Sequence, residues 1–494
     1  MDDQSEHVAG VATGVTGGPD EKVPAWATIL DAVCLASLLL ALSVVVFGGF
    51  RLSLGDARIS FKSAPRLLGW AMAAGLLRHA LVRRRPLHVR ILAGVGALWR
   101  SDALRAVLPF FVVSRLAVLL VGYLAVGAVG YPLAGPKFRL WDNELWNLTA
   151  RWDAGWFLNV ARFGYNWGPN PRLQYNVAFF PAYPMLMRYG GALIGDRPMM
   201  AGLLVSLASF LTALVYFYRW GHDRMGHDVA LASVALLATY PFAIFYSAVY
   251  SEALFLLASV AACYCLERGR PGRAGAWGLL AGLTRSSALF LSATLVVLAL
   301  IPVAGRWLGP GRQAGRAARA AGSSPAWPAA AARLAAAVMP VAGILIYSAF
   351  VYSFTGHPFA WQQAHSAWGR TYESPVAFAV GSYRLFIEDG ILKSAGAHPI
   401  DWLNAVAALF ALGAVWPVTR RLGVAYGLLI VLSVLPPLLA GGYLSAGRLT
   451  AVLFPIFLWL AAVVPERYRA AWLIGFATVQ GLVAVLFFTW RPLI

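Results

Sequence analysis

Four charged side chains stand where the sequence is otherwise apolar or aromatic. Asp153 lies between two tryptophans in RWDAGWFLNVARFGY (151–165), and Glu252 follows Tyr250-Ser251 at the head of an apolar run. Arg285 and Arg448 sit in GLTRSSAL (282–289) and SAGRLTAVLFPIF (445–457). A charge in or beside a membrane-length segment is expensive to hold and is by default a functional signal. The simpler explanation for either arginine is snorkelling to the interface. A carboxylate within hydrogen-bond reach of a reacting hydroxyl can take its proton, and the planar guanidinium fork matches oxyanions such as phosphate. Asp153 has a competing role, because Asp is a favoured helix N-cap and the residues after it read as a short helix. That helix would run from Asp153 to Phe163, with Trp156, Asn159/Val160 and Phe163 on one face and Gly164 ending it. For Glu252 the plain alternative is a carboxylate favoured near a helix N-terminus by the macrodipole.

The elements that must hold these groups are membrane helices. Of 494 residues, 60% are hydrophobic and 12% charged, with a mean hydropathy of +0.67; a soluble domain carries roughly twice that charged fraction. Apolar segments fall near 26–50, 66–83, 106–131, 198–219, 228–248, 252–266, 274–285, 287–303, 333–353, 402–418, 422–438, 448–463 and 469–489. The sequence predicts an all-α polytopic membrane protein of about 13 transmembrane segments. The net charge of +19 resides mostly in arginines of short connections, so it reads as topology and headgroup contact and not as nucleic-acid binding. Cys34, Cys263 and Cys265 all lie in apolar runs and imply neither a disulfide framework nor a metal site. Residues 1–24 are polar and Gly-rich, and are expected to form a disordered cytoplasmic tail.

Arginine in short loops sets the orientation. Arg78, Arg83, Arg84, Arg85, Arg90, Arg100 and Arg105 face one acid, Asp102, and the connections at 268–273, 306–319, 420–421 and 467–469 are also basic. All become cytoplasmic together if 274–285 and 287–303 form a hairpin of two short spans. Three stretches then face outward: 51–65, whose alternation around Gly55-Asp56 is a weak β-hairpin signal, and the long loops 132–197 and 354–401. Loops of that length in a compact protein are usually functional. The expected organisation is the tail, a two-span addition with its basic loop over 25–105, and a main helical module over 106–494.

RWDAGWFLNVARFGY with AFFPAYP (178–184), followed in order by YSEALF (250–255), LERGR (266–270), GLTRSSAL, GHPFAWQQAHSAWGR (356–370) and SAGRLTAVLFPIF, resembles the PIG-V type of GPI mannosyltransferase. The resemblance implies a GT-C type helical bundle whose long extracytoplasmic loops carry short amphipathic helices. It also implies a polyprenyl-phosphate mannose donor, inversion, and an acid in the first long outer loop, here Asp153, as general base. Glu252 would orient the acceptor, hold an arginine or serve as the base. Arg285, Arg448 and Arg151 are then the candidates for the donor phosphate, although Arg151 reads equally well as a solvated loop charge. Trp152, Trp156, Tyr165, Tyr250 and Trp368 are candidates for sugar or lipid contact, with membrane-interface packing as the alternative. His357 and His365 read more simply as structural, and they form no recognisable metal set with the nearby acids. No cofactor is expected beyond the donor substrate. The implied partners are membrane lipid, the polyprenyl-phosphate sugar and a lipid or glycan acceptor, on the outer face of a bacterial-type cytoplasmic membrane or the lumenal face of the endoplasmic reticulum. Two other readings fit the same residues. One is an enzyme of this fold with another polyprenyl-phosphate sugar; the other is a lipid or solute transporter, which also uses membrane arginines and broken helices.

Overall fold

The computed structural model describes residues 25–47, 49–54, 57–61, 63–81, 101–136, 138–168, 170, 172–307 and 327–492. The expected tail at 1–24, the Gly55-Asp56 turn and most of the basic connections at 82–100 and 308–326 lie outside them. The chain divides into two compact units, Met1–Ala97 and Leu98–Ile494.

In the first unit, helices Ala25–Phe47 and Ala64–Leu81 pack together. A two-stranded antiparallel hairpin links them, Phe50–Leu54 with Ala57–Phe61, in a register that sets Leu52 opposite Ile59. The alternation read around Gly55-Asp56 is thus a hairpin. Arg78 and Asp31, both buried, pair at 3.0 Å between the helices. Pairing is what allows two charges to remain in an apolar contact.

The second unit is built of helices and connecting loops, with no strand among its described residues, and the protein is a multi-pass integral membrane protein. Every apolar segment expected from the sequence contains a helix, although not each is by itself long and apolar enough to count as a span. Among the described residues six helices are long and apolar enough to cross a membrane: Asp102–Ala128, Pro198–Met225, Trp327–Thr355, Pro399–Leu422, Val424–Gly441 and Glu466–Phe488. The remainder are short or broken, for local reasons. The run 228–248 is two helices, His227–Thr239 and Pro241–Ser247, bent by 79°. Pro241 has no N–H to continue the ladder and pushes Tyr240 out of helical geometry, to a ψ of 138°. The late run splits likewise into Ala446–Ala451 and Phe454–Val463, with Pro455 in the first turn of the second piece. Pro271–Thr284 and Ala288–Trp307 form the expected hairpin of short helices, with Arg285 extended between them (φ −156°, ψ 147°).

Small residues fix that hairpin against the long helix Trp327–Thr355. A Cβ on Gly282 would lie 2.0 Å from the Pro340 carbonyl oxygen, and one on Gly343 would lie 2.6 Å from that of Leu279. Only glycine permits this backbone approach, the ordinary means of packing helices where lipid supplies no hydrophobic drive. The core is dominated by the aromatic residues of 210–250 and 454–488, including Phe210, Phe217, Trp220, Tyr246, Phe454 and Phe487, all fully buried.

Candidate active site

Asp153 precedes the helix Ala154–Phe163, and Gly164 ends that helix with a φ of +80°. Of the face read from the sequence, Val160 is buried. Ala154, Phe157 and Ala161 are buried with it, whereas Phe163 is 80% exposed. The helix packs on the FFP block through Phe157, whose ring centroid lies 5.0 Å from that of Tyr183, and through Trp156, which stacks on Phe179. Asp153 occupies the cap position, but its carboxylate makes no cap bond. Instead Oδ2 accepts from Arg448 Nη1 at 2.6 Å. The sequence left cap and functional carboxylate open for Asp153, and capping is not what this side chain does.

Arg448 joins the two acids. Its Nε donates to Glu252 Oε1, which also receives Arg285 Nη1, so one carboxylate oxygen lies between two guanidiniums. The sequence-predicted set Asp153, Glu252, Arg285 and Arg448 is thereby brought together from four separate segments. Tyr250 belongs to it as well: its hydroxyl accepts from the Asp153 backbone N–H at 3.0 Å, and its ring lies 4.9 Å from the Arg448 guanidinium carbon. The two acids are not equivalent. Glu252 has no exposed surface and leaves Oε2 without a hydrogen-bond partner, whereas the Asp153 side chain is 18% exposed and meets one guanidinium.

The backbone around the cluster is held in costly geometry. Trp152, just before Asp153, has φ +51°, and Ser445, three residues before Arg448, has φ +59°. Left-handed conformations of non-glycine residues cost on the order of 1–3 kcal/mol and persist only where the surroundings impose them. Here Trp152 Nε1 donates to the Phe487 carbonyl (3.3 Å), and the Gly447 N–H donates to Asn404 Oδ1 (2.8 Å). A Cβ on Gly447 would lie 1.9 Å from the Phe242 ring, so the Arg448 turn sits directly on the broken helix.

Arg151 is not part of the cluster. It is buried, donating to the carbonyls of Phe488 (2.9 Å) and Asn147 and to the Tyr131 hydroxyl (3.1 Å), with Glu144 at 3.6 Å. These bonds tie the loop to the last helix. Trp152 packs on Trp490 and Tyr165 on Tyr347, Phe350 and Phe354, so both serve packing. Trp156 and Trp368 do meet, at 5.5 Å edge-to-face, with Phe179 stacked on Trp156 at 5.9 Å. This aromatic wall joins the two long loops, continuing from the helix that Asp153 begins.

The sequence reading missed two cations, Arg370 and Arg115, whereas His365 is structural as read. Arg370, the last residue of GHPFAWQQAHSAWGR, lies against Gly441–Leu444, just before the Arg448 turn. Its place in a quoted motif was the available signal. Burial, and then the neighbouring Arg448 and Arg285, push its pKa down to about 10. Arg115 lies mid-helix in an apolar run, a charge that could have been flagged. His365 accompanies Arg370: Nδ1 is 2.7 Å from the Trp361 carbonyl, which can only accept, so Nδ1 carries the proton. Burial holds its pKa down to about 4, and the ring is neutral. Among the described residues no group of three His, Cys, Asp or Glu could hold a metal ion.

Arg115 braces the helix break. It has no carboxylate partner among the described residues, and gives its donors to Ala243 O (2.6 Å), Ala238 O (2.8 Å), Ser247 Oγ (2.9 Å) and Ser114 Oγ (3.3 Å). Gln480 Nε2 joins it on the carbonyls of Ala238 (3.1 Å) and Tyr240 (2.8 Å). The carbonyls freed by the 79° bend are thus satisfied within the protein, as the hydrocarbon requires. The segment so fixed leads directly to Tyr250 and Glu252.

Fold and site together define a multi-pass membrane protein with a buried arginine–carboxylate cluster where its broken helices meet the long loops. Residues 131–303 match the family model described as Mannosyltransferase (PIG-V), and the chain resembles that family in this region. The GPI alpha-1,6-mannosyltransferase 2 of Mus musculus is 35% identical over 174 residues, which is 32% of each chain. That of Homo sapiens is 34% identical over 132 residues, 24% of this chain and 25% of the relative. The chain thus matches about a third or less of the length of these curated relatives. Among solved structures, the archaeal oligosaccharyltransferase AglB from Archaeoglobus fulgidus aligns with 78% of this chain and 56% of its own, at 13% identity and a TM-score of 0.40.

Proposed function

We propose that this protein is an inverting, GT-C type mannosyltransferase that moves mannose from polyprenyl-phosphate mannose to a lipid-linked or glycan acceptor on the non-cytoplasmic face. The carrying observation is the single cluster in which Arg448 bridges Asp153 and Glu252 while Arg285 shares Glu252. The acceptor hydroxyl oxygen attacks the anomeric carbon as the bond from that carbon to the phosphate oxygen breaks. Asp153 takes the hydroxyl proton, and the polyprenyl phosphate leaves as an anion needing cations but no general acid. The exposure of Asp153 and its single guanidinium contact favour it as the base. Glu252, enclosed by two arginines, is better suited to holding them in place. Arg285 keeps donors beyond the one given to Glu252, and these are available to phosphate oxygens. The outward placement of loops 132–197 and 354–401 rests on the arginine pattern, and the mannosyl donor on the family match over 131–303.

The test is sugar transfer by purified protein in nanodiscs, from labelled polyprenyl-phosphate mannose to extracted membrane lipids. Wild type should yield a labelled lipid or glycan. Asp153→Asn should lose roughly 10²–10⁴-fold in turnover, the usual value of general-base catalysis, with a smaller drop in melting temperature than Glu252→Gln, because Arg448 keeps Glu252. Transfer from a different polyprenyl-phosphate sugar alone would replace the mannosyl reading. A near wild-type rate in Asp153→Asn would move the base to Glu252.

A further inference from the structure

We propose that Arg370, carried on the third outer loop, is a further cation of the donor-phosphate site and supplies the net positive charge that the site needs to hold an anion. The inference deepens the mannosyltransferase reading and rests on it. Its starting point is the state of the other two arginines. Arg285 and Arg448 both donate to Glu252, and Arg448 also to Asp153. Their charges are matched one for one, and two matched pairs attract an incoming phosphate only weakly. Arg370 is differently placed. Among the described residues it makes one hydrogen bond, from Nη2 to the Leu444 carbonyl at 3.3 Å, and no ion pair. It is a third guanidinium near Arg448, Arg285 and Asp153, and His365 next to it is neutral.

The surrounding structure is arranged to place it. Cγ and Nη1 of Arg370 would each lie 3.2 Å from a Cβ on Gly441, so the missing side chain lets the arginine stem lie on the end of the Val424–Gly441 helix. The Glu373 N–H donates to the Leu439 carbonyl at 2.7 Å, clamping the loop to the same helix end three residues further on. Beyond Leu444 the chain turns through Ser445, with its left-handed φ, into Arg448. Arg370 and Arg448 thus flank one turn of backbone. An arginine can also serve a helix C-terminus simply by complementing its carbonyls. That role accounts for the bond to Leu444 but makes no use of the donors left over on Nε and Nη1. Placing a cation beside two other guanidiniums is unfavourable unless an anion joins them, and a phosphate monoanion diester would complete the set.

Binding of a short-chain polyprenyl phosphate, compared with the matching polyprenol, by detergent-solubilised protein distinguishes the roles. Wild type should prefer the phosphate. Arg370→Gln should weaken phosphate binding by about 10–100-fold, the scale of one charge-assisted contact, and leave polyprenol binding and melting temperature unchanged. Arg370→Lys should recover part of the loss, since it restores charge without the fork. If Arg285→Ala loses phosphate preference while Arg370→Gln keeps it, Arg370 is a helix-end residue and the donor reading survives. If wild type itself shows no phosphate preference, the donor reading falls, and Arg370 with it. A lower melting temperature in Arg370→Gln with phosphate preference intact would likewise overturn the assignment.

Discussion

The helix Glu252–Glu267 carries a carboxylate at each end, and the two are treated in opposite ways. They are roughly 22 Å apart along the helix, at 1.5 Å per residue. At the far end both oxygens of Glu267 are occupied: one takes Arg224 and the Tyr426 hydroxyl, the other Trp220 Nε1 at 3.1 Å. The Arg224 guanidinium also lies 4.5 Å from the centroid of the Trp220 ring. Three helices, Pro198–Met225, Glu252–Glu267 and Val424–Gly441, are joined there by a saturated polar knot. At the near end Glu252 crowds two guanidiniums onto one oxygen and leaves the other empty, with a third cation close by. Saturation marks a joint, and surplus hydrogen-bonding capacity marks a place meant for something else.

This contrast is open to attack by substitution. Glu252→Gln should have the largest effect, because it leaves Arg285 and Arg448 without their shared anion. Removing one partner of a buried ion pair costs about 3–5 kcal/mol, so both the melting temperature and the transfer rate should collapse. Retention of either would show that the near cluster is held some other way. Arg115→Lys comes next. It keeps the charge but cannot span the carbonyls on both sides of the helix break. An ångström-scale displacement of reacting groups is worth up to about 10²-fold; turnover should fall by about tenfold with KM for the donor unchanged, since Arg115 spends its donors on the helix break. A rise in KM alone would move Arg115 into binding. Glu267→Gln should have the smallest effect on chemistry. Losing part of a satisfied network costs about 1–3 kcal/mol, visible as a lower melting temperature, while turnover per folded molecule holds. Loss of turnover equal to that of Glu252→Gln would erase the distinction between the two ends.

Much of this was legible in the sequence, for physical reasons. Membrane helices announce themselves by length and apolarity, and the four charges singled out in the sequence are the four that meet. Arg285 could be read because it interrupts two apolar runs, and Asp153 because it stands between tryptophans. The breaks were less legible. A run such as 228–248 satisfies a hydropathy criterion whether or not Pro241 bends it by 79°, and hydropathy is blind to direction. The helix 154–163 was legible, but its buried side was not: the small Ala154 and Ala161, with Phe157 and Val160, are what pack inward. Arg151 was grouped with the phosphate candidates because it adjoins Asp153. Two residues apart in a turn, their side chains diverge, and Arg151 is spent on backbone carbonyls. Arg370 escaped notice because its significance depends on Gly441 and Leu444, some seventy residues away.

The glycine crossing of the 271–284 helix with Trp327–Thr355 has a consequence for genetics. Gly282 is three residues from Arg285, and its Cα hydrogen points at a backbone carbonyl and not at a movable side chain. A methyl group there has nowhere to go except by driving the two helices apart, and the guanidinium at the end of the shorter one moves with it. In a screen for loss of function, alanine at 282 would therefore score alongside substitutions of Arg285 itself, although it meets neither of the site's acids. Inheritance would locate the lesion in the candidate site; the structure locates it about one helical turn below.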